Sequence, residues 1–174
     1  WHRTLPEFAC AANAVSLMMP YVEPYVVRAM RQALPRLDGP LADDARAYVA
    51  QEAQHHAQHR RFNDLIADQV AGVGRVETWL RRTFDWLWRT RSDRFHLAYA
   101  AASEAVAYGA ARWVEQHHGE LFRDADPTVA ALYLWHLAEE VEHKQVAFDV
   151  YDALYRSRRP LAGAMVVSML VLAW

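Results

Sequence analysis

Cysteine, glycine and proline are all scarce in this chain. Cys10 is the one cysteine among 174 residues, so no disulfide can form within the chain. There are six glycines and seven prolines, and most of them fall between apolar segments. No stretch alternates apolar and polar residues as a half-buried strand does. These shortages argue against a β-rich or disulfide-stapled fold, and a lone thiol is typical of the reducing cytoplasm.

An excess of charge of either sign is also missing. The chain has 19 Lys and Arg against 21 Asp and Glu, a net charge of −2. Without a basic patch, we expect no nucleic-acid partner. Hydrophobic residues make up 53% of the chain, which is enough for one folded domain over residues 1–174. The many aromatic residues lead us to expect a homodimer.

The longest uncharged run, residues 161–174, is too short for an ordinary membrane span. It has 14 residues, whereas a transmembrane helix needs about 20. The run predicts a buried helix, with membrane contact through this segment as the alternative. Because the chain begins at Trp1 and ends inside an apolar run, we expect it to be part of a longer protein.

What the chain does contain favours an all-α fold. Ala, Leu, Arg, Glu and Gln fill the segments between the turn residues, and all of them are good helix formers. Thr4 and Glu7 form a capping-box pattern at the first helix start, while Ser92 and Asp126 are placed to cap later helices. The predicted helices span residues 6–17, 20–34, 41–69, 76–90, 93–118 and 127–156.

Two Glu-x-x-His motifs, at 52–55 and 140–143, lie on the predicted buried faces of two long helices. Residues three apart on a helix point the same way, so each motif can offer a carboxylate and an imidazole to one metal ion. Glu23 and Glu104 lie on the helices that precede the two motifs. Helical bundles that bind two metals use one such additional Glu from each of two further helices.

A third copy of the motif, Glu115 to His118, shows that the motif alone is weak support. Glu115 lies 11 residues beyond Glu104, about 16 Å along the same helix, so the two cannot share a site. We predict that this copy lies on the surface.

The alternative for the other two copies is a pair of surface ion pairs on helices whose phase is misjudged. Four carboxylates and two imidazoles on four buried faces would cost several kcal/mol per ion without a partner. Two divalent cations would neutralise the four carboxylates. The sequence therefore favours a site for two metal ions.

Three stretches of the chain resemble a known superfamily: residues 19–23 (MPYVE), 51–63 (QEAQHHAQHRRFN) and 135–151 (WHLAEEVEHKQVAFDVY). Together with Glu104, they are similar to the ferritin-like di-iron superfamily, and within it to a bacterial family of predicted metal-dependent hydrolases. The resemblance implies a ferritin-like four-helix bundle with additional flanking helices.

The resemblance also extends the set of ligands. His136 lies one turn before Glu140, as in di-iron arylamine N-oxygenases, where a histidine at this place is a seventh ligand. The predicted metal ligands are Glu23, Glu52, His55, Glu104, His136, Glu140 and His143. His59 and Glu139 are predicted either to bind metal or to hydrogen-bond to a ligand, and Glu140 is preferred to Glu139 because its spacing matches the family.

Such a donor set suits iron, with manganese and zinc as alternatives. The resemblance leads to three hypotheses about function. In the first, a di-iron enzyme uses O2 to oxidise a small apolar substrate. In the second, a metal-dependent hydrolase uses water activated by two metals. In the third, the protein binds or stores iron without turning over a substrate.

Overall fold

The computed structural model describes residues 1–173 and confirms the all-α prediction. It has seven α-helices: α1 (Pro6–Ala33), α2 (Gly39–Ala67), α3 (Val73–Thr90), α4 (Asp93–Leu121), α5 (Pro127–His143), α6 (Val146–Tyr155) and α7 (Arg158–Ala173). A short 3-10 helix, Leu34–Arg36, follows α1. Residues 1–173 contain no β-strand, and the one isolated bridge pairs His2 with Ala125.

The predicted break before Pro20 is wrong, because α1 continues through both Pro20 and Pro24. Proline lacks the amide that would donate to the carbonyl four residues earlier. For Pro20 that carbonyl belongs to Ser16, and it accepts a hydrogen bond from Asn63 Nδ2 on α2 at 2.8 Å. A side chain of the neighbouring helix thus replaces the missing backbone donor.

The predicted capping box at the start of α1 is also wrong. The Thr4 hydroxyl lies 3.4 Å from a carboxylate oxygen of Asp124 and from His2 Nδ1, and the cap residue is Leu5. The other two caps are confirmed. Ser92 accepts from the amide of Phe95, and Asp126 accepts from the amides that begin α5.

The single helix predicted over residues 127–156 is interrupted directly after His143. Lys144 and Gln145 form a turn, and α6 begins at Val146. The helices on the two sides of the break bury different kinds of residue. α5 carries buried polar residues, whereas α6 buries Ala147, Val150 and Tyr151.

The core lies where α1, α2 and α4 meet. α1 packs along α2 and contacts α4, while α4 also contacts α5, α6 and α7. The largest side chains that are fully buried include Met30, Tyr48, Tyr99 and Tyr151. α3 covers α1, with Leu80, Phe84 and Leu87 buried. This packing holds α1, α2, α4 and α5 around one buried polar cluster.

The apolar C-terminal segment forms α7, which packs on α4. Ala164, Ser168 and Val171 are buried, while Val166 and Leu170 on the other face are exposed. Among residues 1–173, no helix combines the length and the apolar character needed to cross a membrane. Trp174, the last residue of the predicted segment, lies outside the described residues.

Candidate metal centre

The structure brings all seven predicted ligands into one buried cluster. α1 provides Glu23, α2 provides the motif at 52–55, α4 provides Glu104, and α5 provides His136 and the motif at 140–143. None of these residues is more than 8% exposed, and His55 is fully buried. The i, i+3 and i, i+4 spacings place the side chains of α2 and α5 on the faces that meet in the bundle.

His143 joins the ligands of α2 and α4. Its Nε2 atom lies 3.3 Å from Glu52 Oε1, and its Nδ1 atom lies 3.4 Å from Glu104 Oε2. Glu104 also accepts a hydrogen bond of 2.6 Å from the Tyr48 hydroxyl. This part of the cluster therefore connects α2, α4 and α5.

His136 and His55 form the other part of the cluster. The Nε2 atom of His136 lies 2.8 Å from Glu140 Oε1 and 3.6 Å from Glu23 Oε1. The Nδ1 atom of His55 lies 3.5 Å from Glu52 Oε1 and 3.7 Å from Glu140 Oε1. Glu140 is thus shared between imidazoles from two helices.

Two overlapping sets of donor atoms are compact enough to hold a metal ion. One set comprises Glu52, His55, Glu140 and His143; the other comprises Glu23, His55 and His136. Within each set the donor atoms all lie within 4.8 Å of one another. Glu104 belongs to neither set and reaches the cluster through its contact with His143. The two sets share His55, so they lie side by side in the cluster.

Many buried polar atoms in the cluster make no hydrogen bond, as expected of metal ligands. In the described part of the chain, eleven buried side-chain N and O atoms have no hydrogen-bond partner. Eight of them belong to predicted ligands: both carboxylate oxygens of Glu23, both ring nitrogens of His143, and one atom each of Glu52, His55, Glu104 and Glu140. Buried polar atoms are nearly always paired, so this concentration indicates a site that binds cations.

Electrostatics leads to the same conclusion. Burial, and then the negative charges of Glu52 and Glu104, raise the pKa of Glu23 well above its usual value. Burial, and then the charges of Glu104 and Glu52, have the same effect on the pKa of Glu140. Burial and the charge of Glu104 also raise the pKa of Glu52. Without cations, these carboxylates repel one another and retain protons.

The pKa values of two histidines in the cluster shift in opposite directions. Burial, and then the nearby His55 and His59, lower the pKa of His136 well below its usual value. For His143, burial lowers the pKa, but the contact with Glu104 and the charge of Glu52 outweigh it and raise the pKa. A neutral imidazole is the form that binds a metal, so His136 is already in its ligand form.

Glu139 contacts His55 on the side that faces away from the cluster. Its Oε2 atom lies 2.8 Å from His55 Nε2, while its Oε1 atom accepts a hydrogen bond from Trp135 Nε1 at 3.1 Å. A carboxylate that accepts from one ring nitrogen leaves the other free for a metal and fixes the ring orientation. The geometry therefore favours Glu140 as the ligand and Glu139 as the residue that orients His55.

His59 does not face the cluster directly. Its Nε2 atom lies 2.7 Å from His136 Nδ1, and its Nδ1 atom lies 2.7 Å from the Ser16 hydroxyl. Burial, and then the nearby His55, lower the pKa of His59 to about 4. Ser16 and Asn63 complete this buried network and were missed from the sequence. The one signal for Asn63 was its position one turn after His59 on the predicted buried face.

The third Glu-x-x-His copy lies away from the cluster, as predicted. Glu115 and His118 are both exposed. Glu115 pairs with Arg112, and His118 Nδ1 lies 2.8 Å from the carbonyl of Glu115 on its own helix. This copy is an ordinary feature of a solvated helix end.

One cavity of about 300 Å³ reaches the cluster from the surface. His143 and Tyr48 form its inner part, and Asp44, Gln51 and Glu142 are its other polar lining residues. Two larger grooves lie along α5, but none of the seven predicted ligands lines them. Of these three openings, the one beside His143 is lined by a predicted ligand.

A protein family described as predicted metal-dependent hydrolase matches residues 1–174. No curated protein and no solved structure matches the chain.

Proposed function

Because the chain belongs to the family of predicted metal-dependent hydrolases, we propose that it hydrolyses a small substrate with two metal ions held by the buried cluster. The observation that carries the proposal is the set of eight donor atoms on the predicted ligands that make no hydrogen bond. These atoms converge from α1, α2, α4 and α5. Four carboxylates balance the charge of two divalent cations, which no set of three histidines could do.

The chain's own residues divide the work as follows. Glu52, Glu140 and His143 would hold one ion and Glu23 and His136 the other, and His55, which belongs to both compact donor sets, would bind one of the two. Divalent cations bound there would lower the pKa of a water molecule and polarise the oxygen of a substrate ester or phosphate. Tyr48 keeps its proton, because burial and then the charge of Glu104 raise its pKa well above the usual value. Its hydroxyl therefore continues to orient the Glu104 carboxylate.

The cavity beside His143 determines which substrates approach. Asp44 and Glu142 place two carboxylates on its walls, and Gln51 places an amide there. This lining repels anions and accepts neutral or cationic groups. Gln51 is the polar residue best placed to donate to a substrate carbonyl. We propose an uncharged ester or amide of modest size as the substrate, in preference to a phosphate ester.

A second candidate function is oxidation of a small substrate with O2 by a ferritin-like di-iron centre. The specific observation in its favour is the composition of the cluster: four carboxylates and three imidazoles, all buried. Carboxylate-rich donor sets suit iron or manganese, whereas zinc sites use fewer ligands. Iron held by such a set would supply chemistry with O2, and the burial of the cluster would keep water away.

One experiment separates the two. The metal-free protein would be loaded anaerobically with Fe(II), and separately with Mn(II) or Zn(II), and the bound metal would be counted. Each form would then be assayed on uncharged p-nitrophenyl esters and on p-nitrophenyl phosphate, with O2 uptake measured in parallel.

The hydrolase proposal expects two metals per chain and ester cleavage by the Mn(II) or Zn(II) form, with the neutral esters preferred. Gln51→Ala should raise KM more than it lowers kcat. O2 uptake by the Fe(II) form, with no ester cleavage by any form, would refute hydrolysis in favour of the oxidase. Growth of a large iron mineral instead would indicate storage.

A further inference from the structure

A chain of buried hydrogen bonds leads from α1 to His136. Asn63 Nδ2 donates to the Ser16 carbonyl at 2.8 Å, and the Ser16 hydroxyl donates to Asn63 Oδ1 at 2.7 Å. The same hydroxyl oxygen lies 2.7 Å from His59 Nδ1, and His59 Nε2 lies 2.7 Å from His136 Nδ1. Ser16, His59 and Asn63 are at most 1% exposed. Bulk solvent therefore does not reach these contacts.

The positions of the protons follow from the Pro20 end of this chain. Pro20 has no amide, so the Ser16 carbonyl is free to accept, and only the NH2 group of Asn63 can donate to it. Asn63 must then present its oxygen to the Ser16 hydroxyl. That hydroxyl has one proton and gives it to Asn63 Oδ1. A second donor is needed for its contact with His59, so His59 Nδ1 carries a proton.

The same assignment of protons extends to the metal cluster. A neutral His59 with its proton on Nδ1 has a lone pair on Nε2, which accepts from His136 Nδ1. His136 then has its lone pair on Nε2, the atom that lies 2.8 Å from Glu140 and 3.6 Å from Glu23.

We propose that Ser16, His59 and Asn63 are positioning residues that lock His136 in the tautomer with its Nε2 lone pair facing the metal cluster. Pro20 contributes to this arrangement, because it leaves free the Ser16 carbonyl that fixes the orientation of Asn63. His59 is then a partner of a ligand and not a ligand itself. The proposal assumes, as the proposed function does, that His136 binds metal, but the tautomer is a property of the metal-free protein.

His55 is also oriented by a hydrogen-bond partner outside the cluster, but through its other ring nitrogen. Glu139 accepts from Nε2 of His55 and leaves Nδ1 toward the cluster, whereas His59 accepts from Nδ1 of His136 and leaves Nε2 toward the cluster. The two imidazoles therefore present different nitrogens, each fixed by a partner outside the cluster. Such partners typically change metal affinity about 10- to 100-fold.

The direct test is the tautomer in the metal-free, full-length chain. Two-bond 15N–1H correlation spectra of 15N-histidine-labelled protein, assigned with His59→Gln and His136→Gln, distinguish the two protonated ring nitrogens. We expect the proton on Nδ1 in both His59 and His136. A proton on His136 Nε2 in the unmodified chain would overturn the proposal.

Metal binding gives the second readout, by calorimetric titration with Mn(II). His59→Leu removes the acceptor, whereas the side-chain carbonyl of His59→Gln can still accept from His136. We expect affinity to fall about 10- to 100-fold for His59→Leu and to be largely restored in His59→Gln. Equal losses in both variants would contradict the proposal.

Ser16→Ala probes the far end of the network, and Ser168→Ala is its matched control. Ser168 is also a buried serine, 6% exposed, but it lies on α7, which carries none of the predicted ligands. Ser16→Ala should release the tautomer of His136 and weaken Mn(II) binding, while Ser168→Ala should leave both unchanged. If the unmodified chain bound no metal, the proposed function would fail, and the tautomer measurement would still decide the role of the network.

Discussion

Replacing Glu140 with glutamine should stabilise the metal-free protein and weaken its metal binding. Glu140 is 4% exposed, and one of its oxygens has no hydrogen-bond partner. Its other oxygen lies 2.8 Å from His136 Nε2. The glutamine amide has the same shape, carries no charge and can donate to that nitrogen. The substitution therefore removes repulsion within the cluster without opening a cavity.

The size of the effect follows from the burial of charge. Without cations, an ionised Glu140 is repelled by Glu104, Glu52 and Glu23. Removing an uncompensated buried ion is expected to raise the free energy of unfolding by about 1–4 kcal/mol at pH 8. Because folding raises the pKa of Glu140, the stability that its protonated form contributes is lost as pH rises from 4.5 through the raised value. The advantage of glutamine must therefore grow with pH.

Bound metal offsets this advantage of the variant. At a free metal concentration of about 100 times Kd, binding stabilises the native state by about 2.7 kcal/mol. If the loss of one anionic ligand raises Kd about 100-fold, the same concentration gives the variant only about 0.4 kcal/mol. Urea unfolding at pH 6 and pH 8 measures both the stability of the metal-free protein, in EDTA, and the additional stability given by Mn(II). Glu115→Gln on the surface of α4 is the control and should change neither.

Loss of stability by Glu140→Gln in EDTA at pH 8, with the gain from Mn(II) intact, would contradict metal binding at the cluster. That result would make the cluster a structural network of ion pairs, in which each carboxylate is already satisfied by a protonated histidine. The unpartnered atoms would then need an explanation other than metal binding.

Three further predictions test other parts of the centre. Glu104→Ala should sharply lower the number of metals bound per chain while Glu115→Ala does not, as measured by elemental analysis; equal losses would mean that the buried faces are wrongly assigned. Glu139→Gln should weaken Mn(II) binding about 10-fold by calorimetry, because a neutral amide orients His55 less strongly than a carboxylate does, and unchanged affinity would count against that role. Tyr48→Phe should lower the stability of the metal-free protein to urea by about 1–3 kcal/mol, because a buried oxygen of Glu104 loses its donor at 2.6 Å; a neutral result would mean that water replaces the hydroxyl.

The helical fold and most of the cluster could be predicted from periodicity alone. Apolar residues recur at steps of three and four through α2, α4 and α5, and the same steps carry Glu52, Glu104 and Glu140 to the buried face. The structure buries all three. Such periodic signals are reliable because they depend only on helix geometry, which every residue of the segment shares.

The breaks could not be predicted in the same way. A proline ends a helix only if nothing satisfies the carbonyl that it leaves free, and for Pro20 the substitute donor is Asn63, 43 positions further along the chain. Likewise, the turn after His143 depends on α6 packing against α2 and α4. Both outcomes are set by contacts between distant segments.

The sequence by itself determined that this protein is helical and which carboxylates and imidazoles lie on the buried faces, because local spacing fixes the direction of a side chain on a helix. Only the tertiary structure decided how adjacent candidates divide their roles. Glu139 and Glu140 differ by about 100° around α5, and their partners on other helices assign one to His55 Nε2 and the other to the centre of the cluster. The roles of His59 and His136 also differ by their partners: His59 contacts Ser16 and His136, whereas His136 also contacts Glu140 and Glu23. These partners and the proton positions depend on which atoms meet across the bundle.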